Sequence, residues 1–526
     1  MKDKSENCEE YEEQSSEKSI VPLRRYQIVV LCLCCYINFI SNMSFTILAS
    51  FFDDNATKHG LTKTEVGFIV AIYAGIATVG CPIFGIFLAQ IGKKFTLIAG
   101  LTCAAVCAGL FAFLDDIEDP STYLWIGILL RGVQAVGVSA YFTATYALLV
   151  EEWRGSRLSL ALGVYEAFTG LGMILGPITG SILYSVGGYR LPFLVVCGML
   201  LLAAIINLAA LENKDVFGQI GADEDEALLG NETISTKDGI KTLLSSGLFL
   251  IPNLLMIPVW SCMDFAIPFV GTYLEECEPG TTKIQVGLLF VVFAVAYMLT
   301  SPLWGFLCGQ FPVSRSLMFW GSFLAALSYF FLGPSPWLQN IGLYYSCSFT
   351  RIALVMAVLG LSLAAAIIPS CNEMVEVARA EGVEEQTSDF IGGLINSLIF
   401  LGEFVGPTFG GYMLDYAHGD FPVGCSFFSI VCMVIVFLCG VWWIGLLMKR
   451  KWKQKKESAA ERDIRNIRNT EERYSRRIRR RIHSQHYQIS TGPKSLTESL
   501  GSSLRIPMHC HEPRTSEQVS SDEFPI

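Results

Sequence analysis

The chain has 526 residues, 52% of them hydrophobic and 16% charged, with a mean hydropathy of +0.46. Soluble chains carry about 25% charged residues, and the charges here crowd into the ends and a few short loops, which excludes one large soluble core and indicates a polytopic membrane protein. The net charge of −10 says little about partners, because it sums an acidic N-terminus and a strongly basic C-terminal segment.

The N-terminus, MKDKSENCEEYEEQSSEKS, is acidic and polar and does not read as a cleaved signal peptide. The first apolar helix is expected to direct insertion. A span needs about 20 apolar residues. Twelve such stretches follow in order: 26–50, 65–89, 95–114, 122–148, 158–184, 190–211, 247–273, 284–309, 315–333, 341–368, 388–415 and 423–448. The predicted fold class is therefore an all-α membrane protein of twelve transmembrane helices in two six-helix halves. An even count puts both termini on one side. Arg24, Arg25, Lys93, Lys94, Arg154, Arg157, Arg315, Arg379 and Lys449–Lys453 gather there, while the opposite loops are sparse in Lys and Arg. The positive-inside bias makes that side cytoplasmic.

The expected organisation is an acidic cytoplasmic tail (1–25), a six-helix half (26–211), a cytoplasmic linker (212–246), a second six-helix half (247–448) and a basic, disordered tail (449–526). The linker contains EDEALL (224–229), an acidic dileucine pattern in which Glu224, Leu228 and Leu229 would bind sorting adaptors. The tail contains RNTEERYSRRIRRRIH (468–483), either a solvated charge run or a segment lying on the anionic leaflet. Asn55-Ala-Thr57, in the first outer loop, fits a glycosylation acceptor. Asn231-Glu-Thr233 fits the same pattern on the cytoplasmic side, where it would not be used.

Most of the 17 cysteines lie in apolar runs, where they behave as small hydrophobes. No Cys/His spacing suggests a metal, and no cofactor is expected. Cys277 falls in a predicted outer loop, the first outer loop holds no cysteine to meet it, and no essential disulfide is expected. There is no phosphate-binding glycine loop, no nucleophile–base spacing and no nucleic-acid-binding module. An ATP-driven pump, an enzyme and a nucleic-acid binder are thereby disfavoured.

The two halves resemble each other. GMILGPITGS (172–181) in span five matches GEFVGPTFGG (402–411) in span eleven. CPIFGIFLAQIGKK (81–94) is echoed by SPLWGFLCGQFPVSR (301–315), and Arg131 in span four by Arg351 in span ten. Such duplication places a ligand site between the halves near the bilayer midplane. Gly172, Gly176 and Gly180 recur on one helix face with Pro177 among them, and Gly402, Gly406 and Gly410 with Pro407 repeat the pattern. Small residues let helices approach closely and slide.

These motifs resemble the major facilitator superfamily. GIFLAQIGKK (85–94) is similar to that family's signature after the second span, with Gly85, Gly92, Lys93 and Lys94 in place. Ala89 and Gln90 stand where the family has an Asp and a basic residue, a departure that bears on any charged gate at this loop. RGVQAVG (131–137) resembles the fourth-span motif, and GMILGPITGS the fifth-span motif of proton-coupled antiporters. YEAFTGLGMILGPITGSILYSVGGYRLPF (165–193) with GEFVGPTFGGYMLDYAHGDF (402–421) resembles the vesicular amine and polyamine transporters, solute carrier family 18, and most of all the polyamine-transporting type.

Ions in a bilayer are costly, so each buried charge needs a partner, a watery cavity or a proton. The candidates for binding substrate and protons are Glu166, Asp264, Glu403, Arg131 and Arg351. Glu166 either pairs with Arg131 or meets an ammonium group and exchanges it for a proton. Asp264 sits where Pro258 and Pro268 are expected to interrupt span seven, so that a broken helix would line a cavity. Glu403 is placed to pair with Arg351. Tyr165, Trp260 and Phe265 neighbour the acids and could supply cation–π contacts. Asn38 and Asn42 read as hydrogen-bonding glue between helices. Monoamine-transporting relatives carry an acid near the position of Asn396, and the amide here shifts weight to Glu166.

The resemblance implies a monomeric secondary transporter that exchanges an amine cation, such as a polyamine, for protons across a vesicle or endolysosomal membrane, with the plasma membrane as the other location. Two alternatives stand beside it. One is a transporter of a neutral or anionic molecule held by Arg131 and Arg351. The other is a non-transporting sensor or scaffold with the same fold.

Overall fold

The computed structural model describes residues 25–211, 235–333, 348–416 and 420–490. The expected sorting motif at Glu224, Leu228 and Leu229 and the second glycosylation pattern at Asn231 lie outside them. The described chain is helical: α1 (Arg25–Thr46), α2 (Phe52–Lys58), α3 (Lys63–Ile91), α4 (Lys93–Phe111), α5 (Pro120–Glu152), α6 (Ser156–Gly187), α7 (Arg190–Ala210), α8 (Thr236–Ser245), α9 (Gly247–Cys277), α10 (Lys283–Gln310), α11 (Ser314–Leu332), α12 (Phe349–Ala380), α13 (Glu384–Tyr416) and α14 (Phe421–Ser490). Eleven helices are long and apolar enough to cross a membrane, and the α8–α9 pair, bent by 74°, supplies a twelfth. The first half comprises α1 and α3–α7, the second α9–α14.

The duplication extends to helix starts. Thr62 opens α3 and Thr282 opens α10, each accepting from the backbone N–H three residues on, while Glu65 and Gln285 reach back to the cap N–H. Each box satisfies two orphan donors at once. Asp119 caps α5 through Thr122, whose N–H and hydroxyl hold the Asp119 carboxyl below its usual range. Ser348 caps α12. Measured from these caps, Arg131 lies twelve residues into its helix and Arg351 only three. The expected Arg131–Arg351 equivalence therefore fails.

Other expectations change too. The helix of span seven, α9, runs unbroken from Gly247 to Cys277 through both prolines that were expected to interrupt it. The bend falls instead at Ser246, and the ten residues of the expected linker just before it are helix α8. There Gly239 packs against Thr387, a close approach that leaves little room for a side chain. Helix α14 continues to Ser490, through a stretch that polarity alone assigned to a disordered tail. Its Lys, Arg, Glu and Ala residues are strong helix formers, and Glu472 accepts from Arg476 one turn on. Cys277 is disulfide-bonded, contrary to expectation, with its partner outside the described residues.

Asn55, the expected glycan acceptor, is 6% exposed, and its amide nitrogen donates to Asp115 at 2.8 Å. The nitrogen that would carry a sugar is buried and in use. His59 joins the same carboxylate at 3.1 Å and stacks on Tyr123. This corner ties the short helix α2 to the turn before α5, which corrects the glycosylation reading.

Candidate functional site

Two of the helix pairs that join the halves meet on glycine. A Cβ at Gly85 of α3 would fall 2.9 Å from the Asp389 carbonyl oxygen and 3.4 Å from the Gly393 Cα on α13. A Cβ at Gly163 of α6 would fall 2.5 Å from the Ser301 carbonyl oxygen and 3.2 Å from the Gly305 Cα on α10. Gly85 and Gly305 occupy matching places in the repeated sequence, as do Gly163 and Gly393, so the contacts are related by the pseudo-twofold. Both lie toward the end of the bundle that carries Lys93 and Arg315, termed here the basic end.

The signature loop adds charge to this closure. Gly92, with φ of 95°, makes the turn between α3 and α4 in a left-handed conformation that favours glycine. Lys93 then meets Glu151 at 2.9 Å and, across the halves, Asp389 at 2.8 Å. Lys94 donates to the Leu211 carbonyl at the end of α7. The missing family Asp and basic residue at Ala89 and Gln90 thus do not leave this end uncharged. Ser159 donates to Asn372 of α12, and Ser397 to the Thr78 carbonyl, and both bonds also span the halves.

Further from the basic end the halves part around a narrow cleft with a cavity volume of about 30 Å³. Asn38, Ser41, Asn42 and Phe45 of α1, Tyr73 of α3, Phe142 of α5, and Tyr165, Glu166 and Thr169 of α6 line it from the first half. Trp260 of α9 and Asn396, Ile399, Phe400 and Glu403 of α13 line it from the second. Two carboxylates from opposite halves thus face one space. No Lys, Arg or His is among the lining residues described.

Glu166 is 3% exposed and accepts from the Thr169 hydroxyl at 3.1 Å and from the Tyr297 hydroxyl of α10 at 2.9 Å. The second bond crosses the halves. Asn38 donates to the Tyr165 carbonyl and to the Thr169 hydroxyl, each at 2.8 Å, and Asn42 donates back to Asn38. Asn38 is glue between α1 and α6, as expected, while Asn42 bonds within α1, and both line the cleft. Glu403 Oε2, Trp260 Nε1 and the Tyr165 hydroxyl are buried with no hydrogen-bond partner among the described residues.

Four of the seven expected binding residues therefore meet here: Glu166, Glu403, Tyr165 and Trp260. Three do not. Arg131 is buried between the rings of Tyr73 and Phe111, each 5.3 Å away, and donates to Gln134 at 2.8 Å. It does not pair with Glu166, although Tyr73 separates it from the cleft by one ring. Arg351 donates to the Phe331 and Leu332 carbonyls at the end of α11, not to Glu403. Asp264 is 4% exposed and stands behind the cleft, not on a broken helix lining it. Phe265 stacks on Phe428 instead of on a ligand.

The glycine–proline runs pack within halves. Cβ atoms at Gly172 and Gly176 would meet α1 at Asn42, Met43 and Thr46. Those at Gly402, Gly406 and Gly410 would meet α9 at Trp260, Ser261, Asp264 and Phe265. Gly180 is buried, and Pro177 and Pro407 sit inside continuous helices. Tyr297, Tyr73, Phe142 and Phe400 are site residues that sequence reasoning missed. Their only signal was an aromatic ring in an apolar span, which lipid-facing positions share.

A sequence model of the Major Facilitator Superfamily matches residues 34–277 and 253–486. The human MFS-type transporter SLC18B1 is 29% identical over 453 residues, covering 86% of this chain and 92% of its own length. The human synaptic vesicular amine transporter is 24% identical over 250 residues, covering 47% of this chain and 44% of its own length. Among solved structures, the transporter FucP in its outward conformation superposes with a TM-score of 0.59 at 13% identity, covering 79% of this chain and 98% of that one. The chain is a multi-pass membrane transporter, not an enzyme, and belongs to the Major Facilitator Superfamily, where its relatives lie in the solute carrier 18 branch.

Proposed function

We propose that this transporter exchanges an organic cation, a polyamine or related amine, for protons by alternating access and so loads an acidic vesicle. The observation that carries the reading is the pair of carboxylates, Glu166 and Glu403, facing one cleft from opposite halves with no cation among its described lining residues. Buried carboxylates without a counter-ion favour a cationic guest. Two of them suit a guest with more than one ammonium group. The rings of Phe45, Tyr73, Phe142, Tyr165, Trp260 and Phe400 supply an apolar wall for the methylene stems and cation–π faces for the ammonium groups. Arg131 and Arg351 stand outside the cleft, which removes the support for an anionic substrate. The amine-transporting relative, vesicular by name, supports both the substrate class and the compartment. The Lys and Arg bias supports a cytoplasmic basic end.

The test is uptake of labelled spermidine into proteoliposomes under an imposed pH gradient. Accumulation that collapses with the gradient, and that unlabelled polyamines but not organic anions inhibit, is the expected result. Absence of uptake removes this substrate class. A second expectation concerns Tyr297. Its hydroxyl contributes a charge-assisted bond worth about 1.5–3 kcal/mol, so Tyr297→Phe should lower uptake about tenfold or more while leaving the fold intact. Unchanged uptake in Tyr297→Phe would show that the bond to Glu166 is not made in the working cycle.

A further inference from the structure

Asp264 is a buried acid to which the cleft gives no role. Its Oδ2 has no hydrogen-bond partner among the described residues. A Cβ at Gly406 would fall 3.0 Å from the Asp264 Cβ, so α13 lies directly against it. Glu403 is one turn before Gly406 on the same helix and carries a second buried oxygen, Oε2, with no hydrogen-bond partner among the described residues. The two carboxylates act on each other electrostatically. From the other elements packed around them, α11 presents the Tyr329 hydroxyl, which has no hydrogen-bond partner among the described residues and on which Asp264 acts, and α3 presents Tyr73 and Cys81, on which Glu403 acts. Cys262 of α9 and Cys425 and Cys432 of α14 complete the titratable neighbours of that hydroxyl. No Lys, Arg or His among the described residues makes a salt bridge to either acid.

A carboxylate with neither donor nor counter-ion is expensive in an apolar interior, and two adjacent ones do not both ionise. A proton held by the pair removes that expense. Glu166 is built the other way. Two hydroxyl donors hold it, and donors favour the ionised form. The three acids thus have unlike surroundings, and unlike surroundings set unlike roles.

We propose that Asp264 and Glu403 together form the proton-carrying site of this transporter, while Glu166 holds the substrate cation. This rests on the amine–proton exchange reading above and assigns its two halves to different residues. Glu403 links them, because it lines the cleft and acts electrostatically on Asp264. The pair shares one proton at rest, and a second, taken up from the acidic side, neutralises the carboxylate still ionised. That cancels the negative charge Glu403 offers the cleft, and the bound cation leaves. Loss of the proton on the other side restores the charge for the next cation. Asp264 never meets the substrate.

The test compares the chain as written with Asp264→Asn in proteoliposomes, using spermidine. Exchange of external labelled for internal unlabelled spermidine at equal pH reads substrate binding and the conformational cycle. Accumulation driven by a pH gradient reads proton coupling. The expected result is exchange within about threefold of the parent protein, by ordinary tolerance of an isosteric change, with accumulation reduced to the level seen without a gradient. Retained accumulation overturns the proposal, because the proton then travels elsewhere. Loss of exchange along with accumulation in a folded variant also overturns it, because Asp264 then serves binding or packing. If the Asn variant does not fold, Asp264→Glu replaces it. A displaced pH profile of accumulation supports the site, and an unchanged profile overturns it. A parent protein that neither exchanges nor accumulates spermidine overturns the amine reading itself, an outcome separate from any behaviour of the variants.

Discussion

Glu166→Gln is expected to abolish gradient-driven spermidine uptake, by a hundredfold or more, in a protein that still folds. The amide keeps the shape of the side chain, and its carbonyl oxygen still accepts from Thr169 and Tyr297. The packing of α6 against α10 is therefore preserved. Only the negative charge goes. Removing one partner from a buried ion pair costs about 3–5 kcal/mol, and each 1.4 kcal/mol is about tenfold in affinity. The measurement is initial uptake rate beside thermal stability in detergent, on both proteins. Equal stability with lost uptake assigns the charge to the cation. Uptake that survives makes Glu166 a structural group and moves the substrate charge to Glu403. Loss of both stability and uptake shows that the carboxylate holds the helices together.

That Glu166, Glu403, Tyr165 and Trp260 share a cleft could be anticipated from the sequence, because a buried acid in a glycine-rich span of a duplicated chain belongs at the interface of the repeats. What could not be read was azimuth. Depth in the bilayer allows Arg131 to reach Glu166, yet an α-helix turns about 100° per residue, and Arg131 faces Tyr73 and Phe111 instead. Asp264 lies one turn from Trp260 on the stripe of α9 that meets α13. Gly402 and Gly406 bring α13 over both, and only Trp260 remains in the cleft. The prolines of span seven misled for a related reason. Neighbouring helices can satisfy a freed carbonyl, so proline need not break a membrane helix. Apolar length marked the spans well but placed their ends poorly. Helix α12 starts at its cap, Ser348, and runs to Ala380, past the apolar run and through the buried Glu373, which Arg315 meets at 2.8 Å. No hydropathy pattern reports such a pair.

Gly305→Leu is expected to prevent the basic end from closing and to lower transport at least a hundredfold. A side chain at Gly305 would meet backbone, with the Gly163 Cα 3.1 Å and the Leu160 Cα 3.2 Å from its Cβ. No rotamer relieves that contact, because the obstacle is not the end of a flexible chain. The helices α6 and α10 must separate. Close packing makes such interfaces switch between discrete arrangements instead of deforming smoothly, so the separation should propagate across the pseudo-twofold. It should loosen Gly85 against Gly393 and strain the Lys93–Asp389 bridge. That bridge is only partly buried, and partly exposed pairs are worth about 1 kcal/mol or less, too little to hold the end shut against a steric wedge. The readout is reaction of native Cys81 and Cys371 with a thiol reagent. Both are fully buried beside the contacts between halves, and both should label faster in Gly305→Leu. A control, Gly402→Leu, places its wedge between α13 and α9 within one half. It should reduce folding without selectively exposing these thiols. If Gly305→Leu transports normally, closure of the basic end is not a step in the cycle. If it loses transport with no change in labelling, the glycine serves static packing, and the sliding contact must be sought in the glycine–proline runs of α6 and α13.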